Sequence, residues 1–292
     1  MRTKKKKRKM IPMKNSLVKS SRLHRSAARR PIGVFDSGLG GLTVVREIRR
    51  QLPHETVVYF GDIARLPYGI KSNEQILNFS IQNTLFLLRQ KIKALVIACN
   101  SSSSAAYPFL KNHFFVPVVD VITPAAEEAI RRTTHGRIGV IATHATIQSR
   151  SYEKALKKLS SKVKVTSVPC SLFVPLVEEG WLDGRITDSI IHHYLAPLKN
   201  QHIDTLILGC THFPLIQSRI KAALENGVKI VDSARPTVEK LSWILAEKGL
   251  IYPANRKGAL EIFVSDMPRN FKRIGERFLG EKLNHVKVAR QK

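Results

Sequence analysis

The chain has 292 residues, 43% of them hydrophobic and 24% charged, which is enough apolar material for a buried core in one large or two small domains and excludes wholesale disorder. Its longest unbroken apolar stretches are short runs such as Leu172–Val177, below the roughly 18 residues of a membrane-spanning helix, and three dispersed cysteines cannot staple a secreted scaffold, so free thiols in a reducing cytoplasm are expected. A formal net charge of +27 raises nucleic acid or another polyanion as a partner.

Residues 1–30 hold 13 Lys and Arg and no acid, so nearly half of that excess sits in one tail. Its Lys4–Lys9 block resembles a nuclear-localisation or nucleic-acid patch, but the composition reads first as that of a dispensable, disordered basic arm. The arm has no apolar core like that of a signal peptide, and its lysine richness fits a transit peptide poorly. From Pro31 the texture changes. Ile32-Gly33-Val34-Phe35 predicts a strand and Asp36-Ser37-Gly38-Leu39-Gly40-Gly41 a Gly-rich loop, and Leu42, Val45, Ile48 and Leu52 predict a helix ended by Pro53. Similar strands recur at Val57–Phe60 before Gly61-Asp62, Leu95–Ala98 before Cys99-Asn100, Ile138–Ala142 before Thr143, and Leu206–Gly209 before Cys210-Thr211. Strands alternating with helical segments predict an α/β fold with mainly parallel sheets.

The chain also resembles itself. Ala94–Asn100 lies over Thr205–Thr211 at an offset of 111, so that Cys99 falls on Cys210; Ile32–Ser37 lies over Ile138–Thr143 at 106, and Val119-Asp120 over Val231-Asp232 at 112. Such near-constant offsets predict two pseudo-symmetric, doubly wound α/β domains. The expected boundaries are an arm over 1–30, one domain over 31–122 plus 233–292, and a second over 123–232. Polar residues after the strands then sit at carboxyl edges, where open α/β sheets bind ligands. Two facing edges enclose a cleft, with Asp36, Ser37, Cys99 and Asn100 on one wall and Thr143, Cys210, Thr211 and His212 on the other.

Taken singly, each cysteine reads as a small buried hydrophobe. Position alters this for Cys99 and Cys210, which both end a strand and precede hydroxyl, amide or imidazole groups; Cys170 has no such partners and reads as structural. Two thiols on opposite walls suit two-base racemisation, in which one removes a proton from carbon and the other returns one to the opposite face. A thiol with a pKa near 8.5 is only a few per cent ionised at pH 7, so activation by a neighbour such as Asp36 or His212 is required. Redox and zinc chemistry fit less well: there is no Cys-x-x-Cys, and Cys99, Cys210 and His212 form no zinc pattern. Gly38–Gly41 matches neither the dinucleotide nor the Walker fingerprint. Simpler roles stay open for the other residues. Asp36 and Ser37 could cap a helix, Tyr68-Gly69 could be a turn, His212 could be a paired strand-end imidazole, and Glu178-Glu179 could be a solvated helix face.

Seven ordered blocks together resemble the glutamate racemases of the aspartate/glutamate racemase superfamily. They are Gly33–Val44, Tyr59–Asp62, Ala64–Gly69, Ala98–Ser101, Val140–Thr143, Phe173–Gly180 and Gly209–Leu215. The resemblance implies a cytoplasmic bacterial enzyme that interconverts L- and D-glutamate for peptidoglycan, without pyridoxal phosphate or metal, as a homodimer. It implies opposed acid/base thiols at Cys99 and Cys210, assisted by Asp36 and His212, with Glu178 or its neighbour Glu179 as a further acid. Substrate would be held by Asp36, Ser37, Tyr68, Gly69, Asn100, Ser101, Thr143, Thr211 and His212. Ser101 stands where the family commonly has Thr, and His144 follows Thr143 where a small or acidic residue is usual. Aspartate is the competing substrate, and a polyanion binder the competing kind of protein.

Overall fold

Apolar runs with no polar alternation mark strands covered on both faces, as parallel sheets between helices require. In the computed structural model, which describes residues 26–224, 226–254, 256–267 and 271–289, the strands β1 (Ile32–Asp36), β2 (Val57–Gly61) and β3 (Ala94–Ile97) are buried at every position. They join β4 (Val118–Asp120), β9 (Leu260–Val264) and β10 (Val286–Val288) in a six-stranded parallel sheet of order β10-β9-β2-β1-β3-β4. A second parallel sheet has the order β6-β5-β7-β8, from β5 (Arg137–Ala142), β6 (Lys164–Pro169), β7 (Thr205–Gly209) and β8 (Lys229–Asp232).

The internal resemblance is visible in the pairing. In the first sheet Ile32 lies beside Ala94, and in the second Ile138 lies beside Thr205, so residues matched at offsets of 106 and 111 occupy equivalent register positions. Each sheet thus contains the parallel order second-first-third-fourth, and β9 and β10 extend the first of them beyond β2. β6 is, with β9 and β10, among the strands that sequence patterning does not mark. It lies at an edge, most of its residues are exposed or half-buried, and Lys164, Thr166 and Ser167 break any apolar run. The basic segment 1–25 lies outside the described residues.

Helices cover the sheets: α1 (Leu42–Gln51), α2 (Asn73–Arg89) and α3 (Asn100–His113) belong to the first unit. With the second come α4 (Ile122–Arg132), α5 (His144–Gln148), α6 (Ser151–Leu159), α7 (Phe173–Glu179), α8 (Arg185–Lys199) and α9 (Gln217–Ala223). α10 (Ala234–Glu247) returns to pack on α1 and also touches α4, and α11 (Phe271–Leu279) packs on α1. The largest apolar cluster runs through both sheets, from Val34 and Val96 to Ile141 and Leu208. No helix among the described residues is long and apolar enough to cross a membrane.

At the amino edge of the first sheet, remote from its loops after β1 and β3, a buried ion pair ties several segments together. Lys93 pairs with Glu55 at 2.5 Å and donates to the carbonyls of Ala28 and Leu250 at 2.7 Å each, while Glu55 accepts from the Tyr252 amide at 2.8 Å. Lys93 is 4% exposed and Glu55 3%. Removing one partner strands the other charge away from water, so Lys93→Ala should lower unfolding stability by about 3–5 kcal/mol. Urea denaturation checks this; a loss below about 1 kcal/mol would show that the pair does not anchor this edge.

Candidate active site

Three features position the loop after β1. One oxygen of Asp36, Oδ2, accepts from the amides of Gly38 at 3.2 Å and Gly41 at 3.0 Å, and the Tyr59 hydroxyl donates to the Gly38 carbonyl at 2.7 Å. The other oxygen, Oδ1, has no partner among the described residues. Asp36 therefore braces the loop with one oxygen and leaves the second uncommitted. Burial raises the pKa of its carboxyl, against the opposing pull of the His212 charge and the loop amides.

Cys99 follows β3 and caps α3. Its sulfur accepts from the Ser102 amide at 3.5 Å and donates to the Ser37 hydroxyl at 3.6 Å. Burial, and then the nearby Asp36 charge, push the Cys99 thiol up to about 12, so this sulfur is held protonated. Cys210 follows β7 and is equally secluded, 6% exposed against 5% for Cys99. Its sulfur lies 3.8 Å from Nδ1 of His212, whose Nε2 is 2.9 Å from Oε1 of Glu178. Burial favours a neutral imidazole, but hydrogen bonding to Cys210 and Glu178 outweighs it and raises the His212 pKa well above 6.5. A protonated His212 sets a positive charge beside the Cys210 sulfur. The ring of Phe278 stands edge-on to His212, with centroids 5.2 Å apart.

The two adjacent acids on α7 part company. Glu178 shares a helix face with Val174, four residues earlier, and turns inward to His212; Glu179 is exposed beside Leu172, Pro175 and Trp181. Cys170 is buried and contacts the Val168 carbonyl at 3.7 Å, with a pKa raised by burial and by the charge of Cys210. His144 is exposed.

A single cavity of about 20 Å³ brings together Ser37, Tyr68, Gly69, Cys99, Asn100, Ser101, Thr143, Cys210, Thr211 and His212. Asp36 and Glu178 stand behind this lining rather than in it. Leu66, Pro67 and Val174 add an apolar part that polar motifs do not mark. The two units meet closely here: a Cβ on Gly40 would come within 2.2 Å of the Thr211 hydroxyl, and one on Gly69 within 2.6 Å of Thr143 Cβ. Ser101 and Thr143 hydroxyls share a hydrogen bond of 2.9 Å across the same seam. Tyr68 offers its ring and backbone, because its hydroxyl is engaged by Asp62 and Asn83. Asp62 also holds Arg65 at 2.6 Å and Ser265 at 2.9 Å, bracing the turn that presents Tyr68-Gly69. Among the described residues, no group of three or more His, Cys, Asp or Glu gathers as a metal site.

Residues 32–241 match the family model of Asp/Glu/hydantoin racemases. A glutamate racemase of Geobacter metallireducens is 46% identical over 87% of this chain and 94% of its own length. The chain belongs to the Asp/Glu/hydantoin racemase family, among its glutamate racemases. It is an amino-acid racemase. The glutamate racemase of Francisella tularensis, solved with D-glutamate, superposes with a TM-score of 0.85 at 38% identity, covering 90% of this chain and 98% of that one. The Escherichia coli glutamate racemase, solved with L-glutamate and the activator UDP-MurNAc-ala, gives a TM-score of 0.72 at 26% identity, covering 89% and 98%.

The raised pKa of His212 links it to stability. Its contribution is complete below 6.5 and is lost as pH rises through the higher folded value. Glu178→Gln should lower the imidazole pKa, measured by NMR titration of the ring protons, and move that loss to lower pH, whereas Glu179→Gln should leave both in place. Equal shifts in the two variants would remove Glu178 as the partner that holds the proton on His212.

Proposed function

We propose that this racemase interconverts L- and D-glutamate by passing the α-proton between Cys99 and Cys210 on opposite faces of the substrate carbon. The observation that carries this reading is the gathering of two thiols, one from each sheet, on one secluded cavity with different acid/base surroundings. In one direction the Cys210 thiolate takes the α-proton and becomes a thiol. The carbanion then takes the Cys99 proton on its other face, leaving a Cys99 thiolate. The reverse direction starts from that state. Asp36, with its uncommitted oxygen near Cys99, assists the exchange of that proton with solvent between turnovers, and His212 with Glu178 does so for Cys210. No external cofactor is needed for this proton balance.

Substrate recognition in this scheme falls to Ser37, Asn100, Ser101, Thr143 and Thr211 through polar groups, and to Tyr68-Gly69 through ring and backbone. The helix N-terminus of α3 adds favourable partial charge for a carboxylate. A cavity of about 20 Å³ has room for about one water, so glutamate enters when the Gly40–Thr211 and Gly69–Thr143 contacts part. Residues 31–122 with 233–292, and residues 123–232, are the two domains that move. D-glutamate for peptidoglycan in a bacterial cytoplasm is the product's use in this reading.

Incubation with L- or D-glutamate in D₂O, without pyridoxal phosphate, tests the scheme through loss of the α-proton signal and chiral analysis. The unaltered protein should form the opposite enantiomer from either side, carrying deuterium. Cys99→Ser and Cys210→Ser should each lower kcat for racemisation by about 10²–10⁴ while keeping their circular dichroism. Full activity in either variant defeats the two-thiol scheme, and exchange of aspartate without exchange of glutamate changes the substrate.

A further inference from the structure

Tyr152 stands outside the cavity lining, yet it touches both cysteine motifs. It lies in the first turn of α6, on the second unit, and is 2% exposed. Its ring packs on Gly209, the residue before Cys210, so closely that a Cβ there would lie 2.9 Å from Tyr152 Cε2. Its hydroxyl donates at 2.7 Å to Oδ1 of Asn100, the residue after Cys99 on the first unit. Asn100 is 3% exposed and lines the cavity, and its amide nitrogen Nδ2 has no partner among the described residues.

An asparagine side chain can turn over and exchange its donor and acceptor ends. A phenol that donates to Oδ1 decides which end remains for the cavity. The end left over is a buried N–H donor, costly to leave unpaired and well matched to a carboxylate oxygen. We propose that Tyr152 is a positioning residue for racemisation: it holds Asn100 so that Nδ2 donates to a carboxylate of the substrate, and through its ring keeps that amide in register with the Cys210 motif. The proposal rests on the glutamate reading above. Because the bond crosses between the units, carboxylate recognition is coupled to closure of the cleft.

Tyr152→Phe keeps the ring on Gly209 and removes the hydroxyl. KM for both glutamate enantiomers should rise about three- to tenfold, with a smaller change in kcat, as expected for the loss of one hydrogen bond. In an Asn100→Ala background the same substitution should change KM by less than about twofold, because the amide it orients is gone. An equal KM increase in both backgrounds, or a loss confined to kcat, overturns the proposal. An unaltered protein inactive on glutamate would instead overturn the reading beneath it. Asn100→Asp gives a check that does not depend on the folding of Tyr152→Phe: with Tyr152 held to one oxygen, the other faces the substrate carboxylate. KM should then exceed that of Asn100→Ala by at least about tenfold, as like charges meet away from water; a KM equal to or below it overturns the assigned orientation.

Discussion

The ionisable groups that meet at the carboxyl edges of the two sheets are buried, and that burial governs them. Asp36, Cys99, Cys210 and His212 are all buried within one small region, so each charge is felt strongly by the next. Burial raises the carboxyl of Asp36 and the thiol of Cys99. The imidazole of His212 resists the same force because a sulfur and the Glu178 carboxylate accept its two N–H groups. The site is thereby divided into a thiol side and an imidazolium side. The proposed two-base transfer makes use of that inequality, since in it one sulfur gives up a proton while the other accepts one.

The repeated parallel unit supplies the geometry. Equivalent strands β3 and β7 deliver equivalent cysteines to equivalent edges, and the pseudo-symmetry turns those edges toward one another. Closing the seam between them depends on residues without side chains: Gly40 lets Thr211 approach, and Gly69 admits Thr143. Hydrogen bonds from Ser101 to Thr143 and from Tyr152 to Asn100 then cross it. In the proposed reaction the closed cavity would shield the reacting carbon from bulk water, and its small volume would make opening a part of turnover. Stability is provided elsewhere in the first unit. The Lys93–Glu55 pair ties the amino edge of that sheet, away from the carboxyl edge that lines the cavity.

What could be read along the chain follows from locality. Strands covered on both faces announce themselves as apolar runs, so β1, β2, β3, β5 and β7 are legible, while the half-exposed edge strand β6 is not. Cys99 and Cys210 are legible because each is a reactive residue type at a strand end, and their common offset reinforces the match. Glu178 and Glu179 have the same chemistry and adjacent positions; only the orientation of α7 separates the one facing His212 from the one facing solvent. Tyr59 and Asp62 fall within a matching block but no role could be read for them, and Tyr152 carried no motif at all, because their partners lie elsewhere on the chain. The separation of 52 positions between Asn100 and Tyr152 hides their contact from any local pattern.

The sequence by itself determined the alternating α/β architecture, the duplicated cysteine motifs and, through seven ordered blocks, the family. These depend on residue type, short-range periodicity and spacing, all of which are written along one dimension. Only the tertiary structure decided which acid meets His212, which oxygen of Asp36 is occupied, where the Tyr68 hydroxyl points and how Asn100 is turned. Each of those depends on groups from separate strands and helices sharing one buried space, and there a hydrogen bond or a nearby charge settles the orientation of its neighbours and shifts their protonation.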